Sequence, residues 1–235
     1  MNGFVSANVD LIMANATPAL QAAVAATGDI PILGTSVTDY ADTFAGSIPA
    51  NVSGTSDAVP FDEQAAMLHE LVPDAKTVGL LYCSAEPNSK YQVDVITGYL
   101  AELGYETVEY TFADSNDVAS VAQSACDGSD VIYIPTDNTA ASCTEAIRNV
   151  VEPAKKPVIA GEEGICKGCG VATLSISYYD LGYATGEMAY EVLVNGADVA
   201  TLDIAFAPKV TKEYNAELCE LLGVSVPEDY AAIEG

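Results

Sequence analysis

Small polar residues follow a short apolar segment in the middle of the chain, within DVIYIPTDNTAASCTEA at residues 130–146. The β-branched and aromatic run at residues 131–134 predicts a buried strand, and Pro135 ends it because proline cannot donate to a sheet. A helix is predicted over residues 140–151. The polar residues between them favour turns and helix N-caps; they are Thr136, Asp137, Asn138 and Thr139. Such a junction brings hydroxyls, a carboxylate and free N–H groups to the positive end of a helix dipole, which predicts a binding site for a small polar molecule.

The same arrangement recurs after the strands predicted at residues 11–14, 78–82 and 157–160. The first two are followed by polar residues at helix starts, and these are Asn15, Thr17, Ser84, Asn88 and Ser89. Ligands of open parallel sheets bind at the carboxyl ends of the strands. The polar strand ends therefore form one candidate surface.

The elements that must position these residues alternate between strand and helix, which is typical of α/β proteins with parallel sheets flanked by helices. The first strand covers residues 9–14 in full, further strands are predicted at 30–34, 171–177 and 204–206, and βα units at 77–103, 106–126 and 131–151. The remaining predicted helices cover residues 18–27, 61–71, 181–195 and 212–222. Residues 35–55 are expected to be irregular, and the cysteine-containing segment after residue 160 is expected to be a loop.

Two lobes are expected, because the polar stretch at residues 51–62 separates two series of strands and helices. The first series has two strands and one good helix, too few to bury both faces of a sheet. It also begins close to Met1, so we expect a first lobe that lacks earlier βα units or is completed by another domain.

The charge composition limits the class of partner. Lys and Arg number 8 against 34 Asp and Glu, a formal net charge of −26. Such a surface repels a phosphate backbone, so a nucleic-acid partner is not expected. No apolar run reaches the length of a membrane span. Residues 1–4 have neither the basic nor the apolar region of a signal peptide.

Several segments together resemble the ABC-transporter substrate-binding proteins of the tryptophan/tyrosine-binding type. They span nearly the whole chain in order: LIMANATPALQAA at 11–23, DIPILGTSVTD at 29–39, LYCSAEPNSKYQV at 81–93, DVIYIPTDNTAAS at 130–142, KKPVIAGEEG at 155–164 and SISYYDLGYATGEMA at 175–189. Members of that family usually carry two more βα units before the strand at Leu11.

The resemblance implies the periplasmic-binding-protein type I (Venus-flytrap) fold and no enzymatic activity. It implies an N-terminal lobe of residues 1–57 and 179–200, incomplete here, and a C-terminal lobe of residues 58–178 and 201–235. It further implies extracytoplasmic location (periplasm or surface lipoprotein), an amino acid ligand, aromatic or apolar, bound between the lobes, and a membrane permease as partner. Self-association through the incomplete lobe is also expected, and neither a cofactor nor a metal is.

The family motifs place ten residues near the ligand: Asn15, Thr17, Ser84, Asn88, Ser89, Thr136, Asp137, Asn138, Tyr179 and Asp180. The threonine and serine hydroxyls at helix starts suit a carboxylate. Asp137 and Asp180 are the candidates for an ammonium group, and Tyr178 or Tyr179 for an aromatic ring. Each also has a structural interpretation: Thr17 and Asp180 as helix caps, and the tyrosines as packing residues.

Two other classes of function stay open at this level. Paired cysteines can move an α-proton in two-lobed racemases, and Cys83 and Cys143 follow predicted strands, although both are assigned to the second lobe. A regulatory sensing domain would share the same pocket. The CxxC of Cys166 and Cys169 lacks the other two ligands of a zinc site, so a local disulfide or two free thiols remain.

Overall fold

A computed structural model describes residues 1–234 of the chain, which form two compact units. The first unit contains residues 1–58 and 177–209, and the second contains residues 59–176 and 210 to the end of the described chain. Each unit has its own sheet, with four strands in the first and seven in the second.

The strands are short, as expected for α/β units. In chain order they are β1 (Ile12–Asn15), β2 (Ile32–Thr35), β3 (Val52–Ser56), β4 (Thr77–Cys83), β5 (Glu106–Phe112), β6 (Val131–Ile134), β7 (Val158–Ala160), β8 (Ala172–Ile176), β9 (Ala205–Phe206), β10 (Val210–Tyr214) and β11 (Ala231–Ala232).

The helices connect these strands. They are α1 (Asn2–Ser6), α2 (Thr17–Ala26), α3 (Tyr40–Thr43), α4 (Phe61–Leu71), α5 (Pro87–Glu102), α6 (Val118–Gly128), α7 (Asn138–Ser142), α8 (Thr144–Val151), α9 (Glu163–Cys169), α10 (Tyr178–Leu193) and α11 (Ala216–Leu222), with a short 3₁₀ helix at Val199–Thr201.

The sheet of the first unit is parallel and is covered on both faces. β2 pairs with β1 on one side and β3 on the other, and β3 pairs with β9. Ile32 packs in a cluster with Leu20 of α2, whereas its neighbour Leu33 packs with Ala189 of α10. Successive residues of a strand point to opposite faces, so α2 and α10 lie on opposite faces of the sheet.

In the second unit five parallel strands carry the main core. β6 lies between β4 and β7, and all four residues of β6 are buried. The strand order of this sheet is β11-β10-β8-β7-β6-β4-β5. β10 pairs antiparallel with β8 and β11 is parallel to β10, so these two strands run opposite to the other five. Since β4 and β6 are neighbours and parallel, the loops that follow them meet at one edge of the sheet.

Four predicted elements differ from the structure. The helix expected at residues 140–151 is two helices, α7 and α8, because the backbone leaves the helical conformation at Cys143. Residues 35–55, expected to be irregular, contain α3 and most of β3. The cysteine-containing segment, expected to be a loop, forms α9, and the helix expected from residue 212 is β10 followed by α11. The third crossing between units comes at residues 209 and 210 rather than 200 and 201, because β9 pairs with β3 in the first unit.

None of the helices within the described residues is both long and apolar enough to span a bilayer.

Candidate functional site

The loops after β4 and β6 meet around the carboxylate of Asp137. Its side chain is 1% exposed, and Oδ2 accepts hydrogen bonds from the backbone N–H of Cys83 at 2.7 Å and the hydroxyl of Ser89 at 2.8 Å. Oδ1 accepts from the N–H of Ala140 at 2.7 Å and caps α7. Both carboxylate oxygens therefore already have partners in three different segments of the second unit.

A second carboxylate, Glu86, occupies the start of the same helix. Oε1 accepts from the N–H and hydroxyl of Thr139 at 2.8 and 2.6 Å. Oε2 accepts from the N–H and side-chain amide of Asn138 at 2.9 and 2.7 Å, and from Asn88 Nδ2 at 3.3 Å. The positive end of α7 is thus filled from within the protein.

The two carboxyl groups respond to this environment in opposite directions. Burial, together with the nearby charge of Glu86, raises the pKa of Asp137 above its ordinary value despite three hydrogen bonds. Burial also acts to raise the pKa of Glu86, but the hydrogen bonds from Thr139 and Asn138 outweigh it and hold that pKa below its ordinary value. Glu86 is therefore the carboxylate that carries the negative charge most firmly here.

Amide side chains connect the two loops on the side of α5. Asn88 Nδ2 and Gln92 Nε2 donate to the carbonyl oxygen of Thr136 at 3.2 and 2.9 Å, and the N–H of Thr136 donates to Gln92 Oε1 at 2.9 Å. Asn88 Oδ1 is enclosed and has no hydrogen-bond partner among the described residues.

The strand ends of the first unit have a different character. β1 and β2 end in register at Asn15 and Thr35, and each is followed by a non-glycine residue with positive φ, Ala16 at 70° and Ser36 at 55°. Ala16 also has ψ 162°, a conformation that costs roughly 1–3 kcal/mol and that recurs at ligand-binding loops. Thr17 then starts α2.

The end of β3 adds a carboxylate that sequence reasoning missed. Asp57 follows β3 directly and is buried, and its Oδ2 accepts from the hydroxyl of Tyr178 at 3.4 Å. The signal is its position directly after a strand, and it was missed because β3 was not predicted. Glu86 was also missed, although its place before Pro87 at a helix start marks it as an N-cap.

The start of α10 carries the other two predicted residues of the first unit. Tyr179 is 80% exposed, which leaves its ring available to a ligand or a partner. The helix is capped by Ser177, whose hydroxyl accepts from the N–H of Asp180 at 3.1 Å. Asp180 is therefore a first-turn residue with an exposed side chain, and its interpretation as the cap was wrong.

The ten predicted residues divide between the units. Asn15, Thr17, Tyr179 and Asp180 belong to the first unit, and the other six to the second. Within the second unit the structure joins Ser89 to Asp137 directly, and Asn88 to Thr136. Ser84 is exposed and its hydroxyl donates to the carbonyl oxygen of Phe112 at 3.3 Å.

The cysteines pack in the protein interior. All six are free thiols, and of these only Cys143 is half-buried rather than buried. Burial raises the pKa of Cys169 to about 12 and that of Cys219 to about 11. Such thiols are poor nucleophiles near neutral pH.

Comparison with known proteins identifies the family of this chain. Residues 1–233 match the family model of the ABC transporter substrate binding proteins. The chain belongs to this family.

Relatives within the family include proteins with amino acid ligands. A tyrosine-binding protein of Clostridioides difficile (strain R20291) is 41% identical over 210 residues, which are 85% of this chain and 60% of that protein. The chain therefore spans about 60% of the length of this curated relative.

Solved structures are also similar to this chain. An ABC domain from Streptococcus pneumoniae in complex with L-Trp is 30% identical with a TM-score of 0.93, and the match covers 98% of this chain and 83% of that one. A substrate-binding protein with adhesive properties from Clostridium difficile, in its ligand-free open form, is 38% identical with a TM-score of 0.70 over 99% and 81% of the two chains. The predicted periplasmic-binding-protein type I fold is confirmed.

Proposed function

We propose that this chain is the substrate-binding component of an ABC importer and that its substrate is an amino acid with an aromatic or apolar side chain. The observation that carries the proposal is its 41% identity to a tyrosine-binding protein. The L-Trp complex of a second relative, with a TM-score of 0.93 to this chain, supports the same ligand class.

The polar strand ends supply the chemistry that an amino acid requires. Asn15 and Thr17 in the first unit, and Ser84 and Thr136 in the second, offer polar side chains at helix starts. The predicted Asn138 contributes through its position, because its donors are bound by Glu86. Asp180 and the buried Asp57 are the acidic groups of the first unit that suit an ammonium. Tyr179 suits an aromatic side chain.

Asp137 has a supporting role in this proposal. Because both of its oxygens accept hydrogen bonds from Cys83, Ser89 and Ala140, we assign it to holding the loops after β4 and β6 together. Its contribution to ligand binding then comes from the position of Ser89 and Asn138.

The family supports a proposal for the location and the partner. Its members are usually extracytoplasmic and work with membrane permeases, so we propose that this protein acts outside the cytoplasm, in the periplasm or as a surface lipoprotein. Delivery of ligand to a permease is the corresponding partner interaction.

A thermal-shift screen against the twenty standard amino acids tests the ligand class. A ligand at about a hundred times its dissociation constant stabilises the folded protein by roughly 2.7 kcal/mol. We expect a concentration-dependent shift with L-tyrosine, L-tryptophan or L-phenylalanine and none with aspartate or lysine. A shift only with charged amino acids, or only with sugars added as controls, would contradict the proposal.

The cysteine-dependent racemase has no support in the structure. Cys83 and Cys143 both lie in the second unit, and the Cys83 thiol is buried and donates to the carbonyl oxygen of Ala113 at 3.6 Å. Incubation of the protein with L-tyrosine in heavy water is the test, and we expect no exchange of the α-hydrogen. The sensing-domain alternative predicts unchanged ligand binding and no complex with a permease.

Self-association through the first unit stays a prediction. Strand β1 lies at the edge of its sheet among the described strands, and α10 exposes the rings of Tyr183 and Tyr190. Sedimentation velocity at several protein concentrations tests it. A dimer or larger species that disappears in a Tyr183→Lys, Tyr190→Lys double variant would support contact through the exposed surface of α10.

A further inference from the structure

Helix α2 has ten residues, and its N-terminus has no side-chain cap among residues 1–234. Within the described residues, no side chain accepts a hydrogen bond from its first N–H groups, and the preceding Ala16 has the strained backbone conformation described above. Pro18 has no N–H of its own, so the free donors of the first turn are those of Thr17 and Ala19.

Thr17 gives an independent sign of a ligand at this place. Its residue is 3% exposed, yet its hydroxyl makes no hydrogen bond with any described residue. Its Oγ1 is not fully enclosed, so the small exposed area of the residue includes this hydroxyl. A nearly buried hydroxyl that reaches the surface only at a helix start is placed to donate to an anion there.

The first unit has almost no cationic side chains. Of the 8 Lys and Arg residues in the chain, only Lys209 belongs to the first unit. A carboxylate bound by this unit must therefore be held by neutral donors and the helix dipole.

In the second unit, the start of α7 is closed to a carboxylate. The donors of Asn138 and Thr139 at the start of α7 are already bound by Glu86, and that of Ala140 by Asp137. A ligand carboxylate at this place would face two carboxylates.

We propose that the α-carboxylate of the amino acid ligand binds in the first unit, to the Thr17 hydroxyl and the N–H groups of Thr17 and Ala19, and not at the start of α7. The assignment rests on the proposed function and adds to it the orientation of the ligand.

The test compares each ligand with its carboxamide, which keeps the ammonium and side chain but has no negative charge. Affinities of L-tyrosine, L-tryptophan, L-tyrosinamide and L-tryptophanamide are measured at pH 6 by calorimetry, with competition for weak binders. The proteins are the wild type, Thr17→Val, Thr17→Ser and Thr136→Val. We expect Thr17→Val to weaken the acid by about tenfold or more while changing the amide little, because only a bond to a charged group is lost.

Control variants separate this effect from a general loss of stability. Thr17→Ser retains the hydroxyl and should restore the preference for the acid. Thr185→Val removes a fully buried hydroxyl of the same unit, which donates to the carbonyl oxygen of Leu181. It should lower the melting temperature without changing the preference for the acid.

Three results would overturn the assignment. The assignment is wrong if Thr17→Val keeps the wild-type preference for the acid over the amide. It is also wrong if that preference is lost in Thr136→Val and not in Thr17→Val. If the amide is too weak to measure, an acid affinity in Thr17→Val equal to that of the wild type overturns it. Absence of binding by any acid to folded wild type is a different result, because it contradicts the proposed function itself.

Discussion

At the scale of the residue, the most informative side chain is Glu86, which the sequence did not single out. Its two oxygens accept five hydrogen bonds, four of them from the first two residues of α7. The carboxylate therefore fixes the loop after β4 against the loop after β6. Asp137 repeats this role from the opposite loop.

Replacement of Glu86 by Gln should destabilise the protein by about 2–3 kcal/mol. The substituted amide puts donors where Asn138 and Thr139 also donate, and leaves buried donors without partners. For a chain of this size we expect a melting temperature lower by roughly 4–12 °C. Glu102→Gln is the matched control, because Glu102 is exposed near the end of α5 and should change stability by less than about 0.5 kcal/mol. Equal stability of the two variants would contradict the clamp.

The cysteines give a second prediction at this scale. With pKa values of about 12 for Cys169 and about 11 for Cys219, only a small fraction of either thiol is ionised at pH 8, and the fraction rises about tenfold for each pH unit. Iodoacetamide at pH 8 should therefore modify the half-buried Cys143 first and leave these two unmodified until urea is added. Mass spectrometry of the wild type and Cys143→Ser checks this. Rapid alkylation of Cys169 in the folded protein would contradict it.

At the scale of the element, the sequence predicted most βα units because their strands are apolar runs and their helices follow clear turn residues. The prediction failed for elements whose buried residues are mostly small or polar. All five residues of β3, VSGTS, are buried, but only Val52 is apolar. α9 is short and glycine-containing, and it is held by Glu162, which accepts from Gly164 and Ile165.

The tail of the chain and the contacts within the site were also not predicted correctly. β10 has five half-buried residues, VTKEY, so its pattern lacks the contrast between faces that marks a strand. The strand ends were predicted because polar residues after apolar runs are visible in the sequence. Which of them bind each other was not predictable, since Glu86 and Asn138 are 52 residues apart.

Gly54 tests whether β3 is a central strand. Its φ is 146°, and a Cβ there would overlap the carbonyl oxygen of Gly34 and the hydroxyl of Tyr40. Gly54→Ala should therefore cost at least about 2 kcal/mol, measured by urea denaturation. Gly98→Ala, in the middle of α5 where a Cβ meets no atom within 4 Å, should be neutral or stabilising by up to about 1 kcal/mol. A neutral Gly54→Ala would contradict the position of β3.

At the scale of the whole molecule, the dominant feature is the net charge of −26. The described residues have five ion pairs, all between partly or largely exposed side chains, and exposed pairs contribute little stability. Repulsion among carboxylates should then outweigh attraction at neutral pH.

Salt should accordingly raise the melting temperature at pH 7. The Debye length falls from about 30 Å at 0.01 M to about 3 Å at 1 M salt, which screens the repulsion. Near pH 4.1, the isoelectric point, the same increase in sodium chloride should have a much smaller effect. Equal salt dependence at both pH values would contradict an electrostatic origin.

The central claim, that this chain binds an aromatic or apolar amino acid, is tested most directly by isothermal titration calorimetry of the purified chain with L-tyrosine and L-tryptophan. We predict saturable binding of at least one of them at one ligand per chain, abolished by prior saturation with the other if both bind. A folded sample that gives no saturable heat with either, and no competition between them and any other apolar amino acid, would contradict the claim.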